Sequence, residues 1–519
     1  MQMKTADQTR RSSKKPGRSK MRPVVSGLLM LLVLVGFLCF FSARWYVNIF
    51  GQLGFDAVLY TLSAGFGDVA SGLLNAYVAS AALPALVCTL VAGVFLLPWC
   101  SKKVKLHLFS KIHIQLFPLR RSVAVIGAVL LSAVLIADAA DGIELDEYLK
   151  AVSDTTDLYD EYYQDPQTTQ ITFPAEKRNL IYIFLESMET AYLSTELGGA
   201  SDSNLIPELA QLAQENVNFS FTDTLGGFYA PSGTTWTVGA LVAQTSGVPL
   251  KTPPGVGQNY YGHDGNYLPG LTTIMDVLHD NGYYQALMLG SIGTYAARQQ
   301  YFYRHGVDQV YDLYCAQEDG IVPQDYFVWW GMEDKYLFEY AKQELTQIAA
   351  QDEPFAFSML TVDTHHVGGY VCEYCQDTYE EQYQNVISCS SRQVYDFIEW
   401  CSQQDFYDNT TIVICGDHPS MDHDYFTRNV DETYDRTVYN CFINAAADAS
   451  NTQNRVFTSL DIFPTTLAAM GCQIEGDRLG LGTNLFSDRQ TLAEEIGLSQ
   501  LDEELAKTSL YYSQNFYFQ

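Results

Sequence analysis

Val24 to Ala43, "VVSGLLMLLVLVGFLCFFSA", runs 20 residues without a charge, and Tyr77 to Trp99, "YVASAALPALVCTLVAGVFLLPW", runs 23. Each is long enough to cross a hydrocarbon core of about 30 Å. A cleaved signal peptide is the alternative for the first run, but its length exceeds the usual apolar region of such peptides and further apolar runs follow it. Ser122 to Ala137, "SVAVIGAVLLSAVLIA", has 16 residues and also suits a buried core helix. Arg120 and Arg121 before it and Asp138 after it look like interfacial ends, so three spans are expected.

Charge is divided as sharply as hydropathy. Residues 1 to 121 carry 15 Lys/Arg against Asp7, Asp56 and Asp68, a net of +12, which leaves 15 basic and 57 acidic residues in the remaining 398, a net of −42. A domain so acidic repels phosphate backbones, and nucleic acid is excluded as a partner. The basic groups flank the spans on one side: Lys4 to Arg22 before the first, and Lys102 to Arg121 between the second and third. Both stretches are expected in the cytoplasm. The stretch from Arg44 to Ala76 and everything after the third span then lie outside. The expected organisation is a basic tail and three-helix membrane module over residues 1–140, an acidic linker over 141–175 and an extracytoplasmic domain over 176–519. Within the outer loop, residues 45 to 68 are apolar and aromatic and suit either an interfacial segment near the outer leaflet or packing between the spans.

Eight cysteines, Cys315, Cys372, Cys375, Cys389, Cys401, Cys415, Cys441 and Cys472, fall in the outer part. The "CEYC" of Cys372 and Cys375 has the spacing of a zinc half-site or a redox pair, but no second C-x-x-C follows. A structural disulfide involving at least one of these two is expected, although Cys415 sits inside an apolar strand and the set as a whole is compatible with reduced thiols.

The outer domain repeats one pattern. "NLIYIFLES" is an apolar strand ending on Glu186 and Ser187, "FAFSMLTVDTHH" ends on Asp363, His365 and His366, and "TIVICGDHPSM" ends on Asp417 and His418. "YYQALMLGS" is a plain strand between them. Helical stretches such as "LIPELAQLAQEN" and "GLTTIMDVLHDNGY" alternate with the strands, which predicts an α/β fold with a mostly parallel sheet and helices on both faces. In open sheets of this kind ligands bind beyond the carboxyl ends of the strands. That edge collects Glu186, His365, Asp417 and His418. A single Asp-His after a strand is more often a turn, but several together form an oxygen and nitrogen set suited to manganese, magnesium or zinc. Between the first two ligand strands, "GGFYAPSGTTWTVGALVAQTSGVPL" runs from a loop into a helix with Thr237 near its start. A helix amino terminus favours anions, whereas Thr234, Thr235 or Thr237 would more ordinarily be an N-cap.

In order and spacing, these segments with "SLDIFPTTLAAMG" and "RLGLGTNLF" resemble the sulfatase-fold, membrane-bound phosphoglycerol transferases, the group of lipoteichoic acid synthases and of enzymes that decorate osmoregulated periplasmic glucans. The resemblance runs from about Asn179 to Phe486, and "GTTWTVGALVAQTSGVPL" is nearer the glucan-modifying branch. It implies an alkaline-phosphatase/sulfatase-like domain in the bacterial cell membrane with Glu186, Thr237, Asp417 and His418 as metal ligands and Thr237 as nucleophile. His365 would contact substrate and move a proton, beside His366, and Arg298 is the nearest match for a phosphate-contacting arginine. The cofactor implied is one divalent ion, manganese first, with magnesium or zinc as alternatives. The partners implied are phosphatidylglycerol, the bilayer and a hydroxyl-bearing glycan or polyglycerolphosphate acceptor. A phosphoethanolamine transferase or a metal-dependent phosphodiesterase of the same superfamily is the alternative, and a catalytically silent membrane-anchored binding protein is disfavoured by the presence of all four metal positions. The C-x-P-x-R segment that true sulfatases convert to formylglycine is missing, which argues against sulfate ester hydrolysis.

Overall fold

The computed structural model describes residues 21–50, 55, 57, 59–60, 70–96, 104–108, 112–116, 121–252 and 267–517. The basic tail, the side chains of the 101–121 stretch and much of the 45–68 segment lie outside the described residues. The chain divides into two compact units, Met1–Asn48 with Gly72–Ile143, and Ile49–Ser71 with Glu144–Gln519.

The first unit holds three helices long and apolar enough to cross a membrane, Val24–Ile49, Leu74–Val94 and Ser122–Gly142. The third is longer than its uncharged run because the helix continues through Asp138, whose carboxylate takes a hydrogen bond from Arg44 at 3.3 Å. Small residues let the first and third helices approach closely: a Cβ on Gly36 would stand 3.0 Å from the Cα of Ser132, and Ser132 Oγ donates to the Leu32 carbonyl at 3.1 Å. Leu29, Val33, Ala124 and Ala128 are buried at this contact, while Val24, Leu28, Leu130 and Val134 stay exposed as a lipid-facing surface requires. Val104–Leu108 and Ile112–Leu116 pair as an antiparallel hairpin.

The second unit is built on a seven-stranded sheet. Its strands in chain order are β1 (Asn179–Leu185), β2 (Gly227–Phe228), β3 (Tyr284–Leu289), β4 (Gln309–Tyr311), β5 (Phe355–Leu360), β6 (Thr410–Gly416) and β7 (Val438–Ile443). Their spatial order is β2-β7-β6-β1-β5-β3-β4. The five from β6 to β4 are parallel, and β7 and β2 close one side antiparallel. All but the first residue of β1 are buried, as befits a parallel strand covered on both faces. Ile181, Ile183 and Leu185 join a core with Leu209, Leu337 and Ile387, while Tyr182 and Phe184 stack on each other at 4.1 Å. The helices that bear on function are α1 (Thr237–Ser246), α2 (Arg298–Arg304) and α3 (Gln382–Ser402).

Residues expected as an acidic linker are folded into this unit. Leu145–Ser153 and Leu158–Tyr162 are helical, Ile171–Thr172 pairs with Gln473–Ile474, and Tyr159 and Tyr163 pack on Tyr511 and Phe516. The acidic composition hid the rings of Tyr159 and Tyr163, which must be covered. The motif segments "SLDIFPTTLAAMG" and "RLGLGTNLF" form a buttress beneath α1. There the buried Asp461 accepts backbone bonds from Thr458 at 2.8 Å and Thr483 at 2.7 Å, and Ile462–Ala469 packs on α1.

One ion pair, buried on its carboxylate side, ties the chain after β6 to the chain after β1. Glu189, with its side chain fully buried, accepts from Arg436 Nε at 2.8 Å and Nη2 at 2.5 Å and from the backbone of Ser420 at 2.6 Å. The guanidinium also lies 3.7 Å from the Phe426 ring centre. Removing one partner of a buried pair strands the other charge. Arg436→Ala is therefore expected to destabilise this unit by about 1–3 kcal/mol, the cost of leaving the buried carboxylate short of donors, read by chemical denaturation of the full chain in detergent, with Arg436→Lys recovering only part because it lacks the planar fork. A loss of under about 1 kcal/mol, the range of exposed pairs, would contradict this account.

Candidate active site

Register alone brings the first ligands together. Leu185 of β1 is paired with Gly416 of β6, so the next residues, Glu186 and Asp417, leave the sheet side by side. Gly416 is required there, because a Cβ would stand 2.1 Å from the Met188 carbonyl oxygen. Beyond β1 the backbone turns through Ser187 at φ +55°, a left-handed conformation that costs a residue with a side chain about 1–3 kcal/mol. The surrounding bonds hold it: Ser187 N donates to Asp417 Oδ1 at 2.8 Å and Ser187 Oγ to Glu186 Oε1 at 2.7 Å. From the β5 side, Thr361 Oγ1 accepts from Glu186 N at 2.9 Å and Thr364 Oγ1 donates to the Glu186 carbonyl at 2.5 Å.

Helix α1 is set against this edge from below. Gln244, fully buried on α1, donates to the carbonyls of Gly416 and Asp417 at 3.0 Å each and accepts from Tyr182 Oη at 2.8 Å. Two turns earlier, Thr237 opens the helix. The N-cap is Trp236, which makes no side-chain capping bond, so the Thr237 hydroxyl is released from capping. It lies 3.5 Å from Glu186 Oε2 and 3.3 Å from His418 Nε2. Thr234, by contrast, is buried and donates to the Pro231 carbonyl at 2.7 Å.

These residues fit a divalent cation. Glu186, Asp417 and His418 are buried, and one ligand atom from each lies within 4.8 Å of the others. Asp417 spends Oδ1 on two backbone donors, Ser187 N and His418 N, and leaves Oδ2 buried without a hydrogen-bond partner. His418 Nδ1 faces the Pro419 carbonyl at 2.8 Å, which places the ring proton on Nδ1 and turns the Nε2 lone pair inward. Without a cation both carboxyls are held well above the usual carboxylate range. Burial, with Asp417 beside it, pushes Glu186 up to about 8. Burial also lifts Asp417 to about 7 against its backbone donors.

One cleft opens over the cluster, lined by Glu186, Thr237, Tyr295, Arg298, Trp330 and His365. Arg298 is the first residue of α2 and follows two alanines in the left-handed region, Ala296 at φ +53° and Ala297 at φ +57°. Its guanidinium is buried, donates to the carbonyls of Ile292 at 2.9 Å and Tyr295 at 3.2 Å, and forms no ion pair among the described residues. A buried cation so placed suits an incoming phosphate. His365 Nδ1 faces the His366 carbonyl at 2.8 Å and its ring lies 4.6 Å from that of Trp330. Burial, and then the neighbouring His366, hold His365 well below the usual histidine range, so it is neutral at pH 7. His366 takes another direction: its Nε2 lies 2.8 Å from the carbonyl of Ile49, and it is not among the cleft residues.

The structure thus gathers Glu186, Thr237, Asp417 and His418 in one cluster, sets Arg298 and His365 over it, and engages His366 with the segment that begins the second unit. Sequence reasoning passed over Trp330, Tyr295 and Gln244. The "WW" doublet at 329–330 was a signal for the first; nothing local marks the other two. That same entering segment carries Tyr60, whose hydroxyl lies 2.7 Å from Tyr267 Oη and 2.6 Å from the Ala296 carbonyl, beside Arg298.

Residues 178–472 match the sulfatase family. Among curated proteins, the chain is 32% identical over 270 residues to phosphoglycerol transferase I of Xanthomonas campestris pv. campestris (strain B100), covering 50% of this chain and 36% of that protein. It is 28% identical over 380 residues to phosphoglycerol transferase I of Citrobacter koseri, covering 71% and 45%. The chain spans less than half the length of these relatives. Among solved structures, the lipoteichoic acid synthase LtaP from Listeria monocytogenes is similar with a TM-score of 0.49 at 18% identity, over 64% of this chain and 81% of that one.

Because Asp417 Oδ2 carries no hydrogen bond and faces His418 Nε2 at 3.4 Å, Asp417→Asn is expected to weaken manganese binding about 10- to 100-fold or more, judged against the effect of weaker outer contacts, in titration calorimetry of the full chain. Unchanged manganese affinity would assign the carboxylate a purely structural role.

Proposed function

This chain belongs to the sulfatase family, and we propose that it is a membrane-anchored, metal-dependent phosphoglycerol transferase. It would move glycerophosphate from phosphatidylglycerol to a hydroxyl of an extracytoplasmic glycan or polyglycerolphosphate acceptor. The carrying observation is the Thr237 hydroxyl, freed from capping and held between Glu186 and His418 in the cleft that also contains Arg298 and His365. The domain from about residue 176 onward would be catalytic and extracytoplasmic, and residues 1–140 its membrane module, in keeping with the basic residues that flank the three apolar helices.

In this reading Glu186, Asp417, His418 and Thr237 hold one divalent ion, manganese first. When bound, it would lower the cost of deprotonating a threonine and offset charge on the phosphoryl oxygens. Thr237 Oγ attacks phosphorus as His365 Nε2 takes its proton, the bond from phosphorus to the diacylglycerol oxygen breaks, and the proton passes from His365 to that oxygen as diacylglycerol leaves. An acceptor hydroxyl then attacks the phosphorus held on Thr237, releases its own proton, and restores the threonine. Arg298 orients the phosphoryl group. His365, neutral with its proton on Nδ1, has Nε2 free to carry the proton in the first step and, in the second, to take the acceptor's proton and return it to Thr237 Oγ as the bond from phosphorus to Oγ breaks. The lipid arrives by lateral diffusion, so the acidic surface is no obstacle.

The assay uses right-side-out membrane vesicles with manganese and fluorescently tailed phosphatidylglycerol or phosphatidylethanolamine added from outside. Diacylglycerol is expected from the first. Thr237→Ala should lower the rate by at least about 100-fold, the scale on which positioned catalytic groups act, whereas Thr235→Ala should leave it near wild type. Release from phosphatidylethanolamine alone would assign the chain to phosphoethanolamine transfer, and an active Thr237→Ala enzyme would remove the threonine from the mechanism.

A further inference from the structure

The ten described cysteines are all unbridged, so the disulfide expected at the C-x-x-C pair is not formed. Three of them nevertheless converge. Cys372 Sγ lies 3.7 Å from Cys375 Sγ and 3.7 Å from Cys389 Sγ, and all three sulfurs fall within 4.8 Å of one another. A disulfide needs about 2.05 Å and can join only two of three. Thiolates at the corners of a tetrahedron around zinc, with bonds of about 2.3 Å, stand about 3.8 Å apart. The spacing here is that of a tetrahedron edge.

The surroundings are built to present sulfur. Cys372 and Cys375 sit on a turn closed by Cys375 N donating to the Cys372 carbonyl at 3.1 Å. Cys389 rises from α3, where Gln393 Nε2 donates to its sulfur at 3.5 Å. Arg392, one position away on the helix, fastens the turn by donating to the Tyr374 carbonyl at 3.3 Å and to Ser388 Oγ at 3.2 Å. Cys372 and Cys389 are buried while Cys375 is partly exposed, so the group is enclosed on the protein side and open on the other.

We propose that Cys372, Cys375 and Cys389 form a second metal site, a three-thiolate centre for zinc with water in the fourth position, separate from the carboxylate and histidine centre at Thr237. An all-sulfur set selects a thiophilic cation and rejects manganese and magnesium, whereas the oxygen-rich centre accepts them. The site fastens the chain that leaves β5, and with it His365, to α3. This inference is independent of the proposed transfer reaction.

The test uses the full chain purified in detergent without reductant. Loading with cobalt is expected to produce a thiolate-to-cobalt charge-transfer band that disappears in Cys389→Ala and persists in Asp417→Asn. Elemental analysis of the zinc-loaded protein should show one equivalent lost in Cys389→Ala. Should that variant fail to fold, the wild-type chain suffices: zinc should protect these three thiols, and not Cys315, from alkylation read by peptide mass spectrometry. A wild-type protein without the cobalt band, three thiols alkylated equally with and without zinc, or a non-reduced peptide joining two of the three, overturns the proposal.

Discussion

Two carboxylates driven together inside a protein set the terms for everything around them. Glu186 and Asp417 leave adjacent parallel strands in register, both are buried, and neither keeps an ordinary acidity: burial pushes Glu186 up to about 8 and Asp417 to about 7. Desolvation and mutual repulsion oppose a pair of negative charges there. A divalent cation reverses that opposition. The strained backbone at Ser187, the spent Oδ1 and orphaned Oδ2 of Asp417, and the proton fixed on His418 Nδ1 all have a use only if the inward-facing atoms bind something positive.

The second requirement is a hydroxyl delivered to that centre. Thr237 reaches it because α1 is held by Gln244 to the end of β6 and supported beneath by the buried Asp461 turn. The helix start is occupied by Trp236 as cap, which leaves the threonine to the cluster. Ser187 and the alanine pair before Arg298 place backbone strain on two sides of the same cleft, where it is offset by buried hydrogen bonds and aromatic packing.

Much of this was legible in the sequence because the signals are local. An apolar run that stops on Glu186, or on Asp417 and His418, carries both the strand and its ligand, and an uncharged run of 20 residues is its own evidence of a span. What escaped depends on partners far along the chain. Gln244 acquires meaning only from Asp417, 173 positions away. The aromatic side chains within residues 146–170 acquire theirs from the carboxyl terminus, and His366 is engaged by Ile49, 317 positions earlier. The cysteine group shows the same limit: C-x-x-C is visible as a pair, but its third member, Cys389, is supplied by the fold. Composition showed an acidic linker with helical character, and left the packing of its tyrosines unread.

The central claim is that Thr237 carries the phosphoryl group between donor and acceptor. Its most direct test is peptide mass spectrometry of the full chain quenched during turnover with phosphatidylglycerol in the absence of acceptor. A glycerophosphoryl adduct on Thr237, absent from the Thr237→Ala protein, is the predicted result; diacylglycerol release with no adduct on the chain, or with the adduct on another residue, would contradict it.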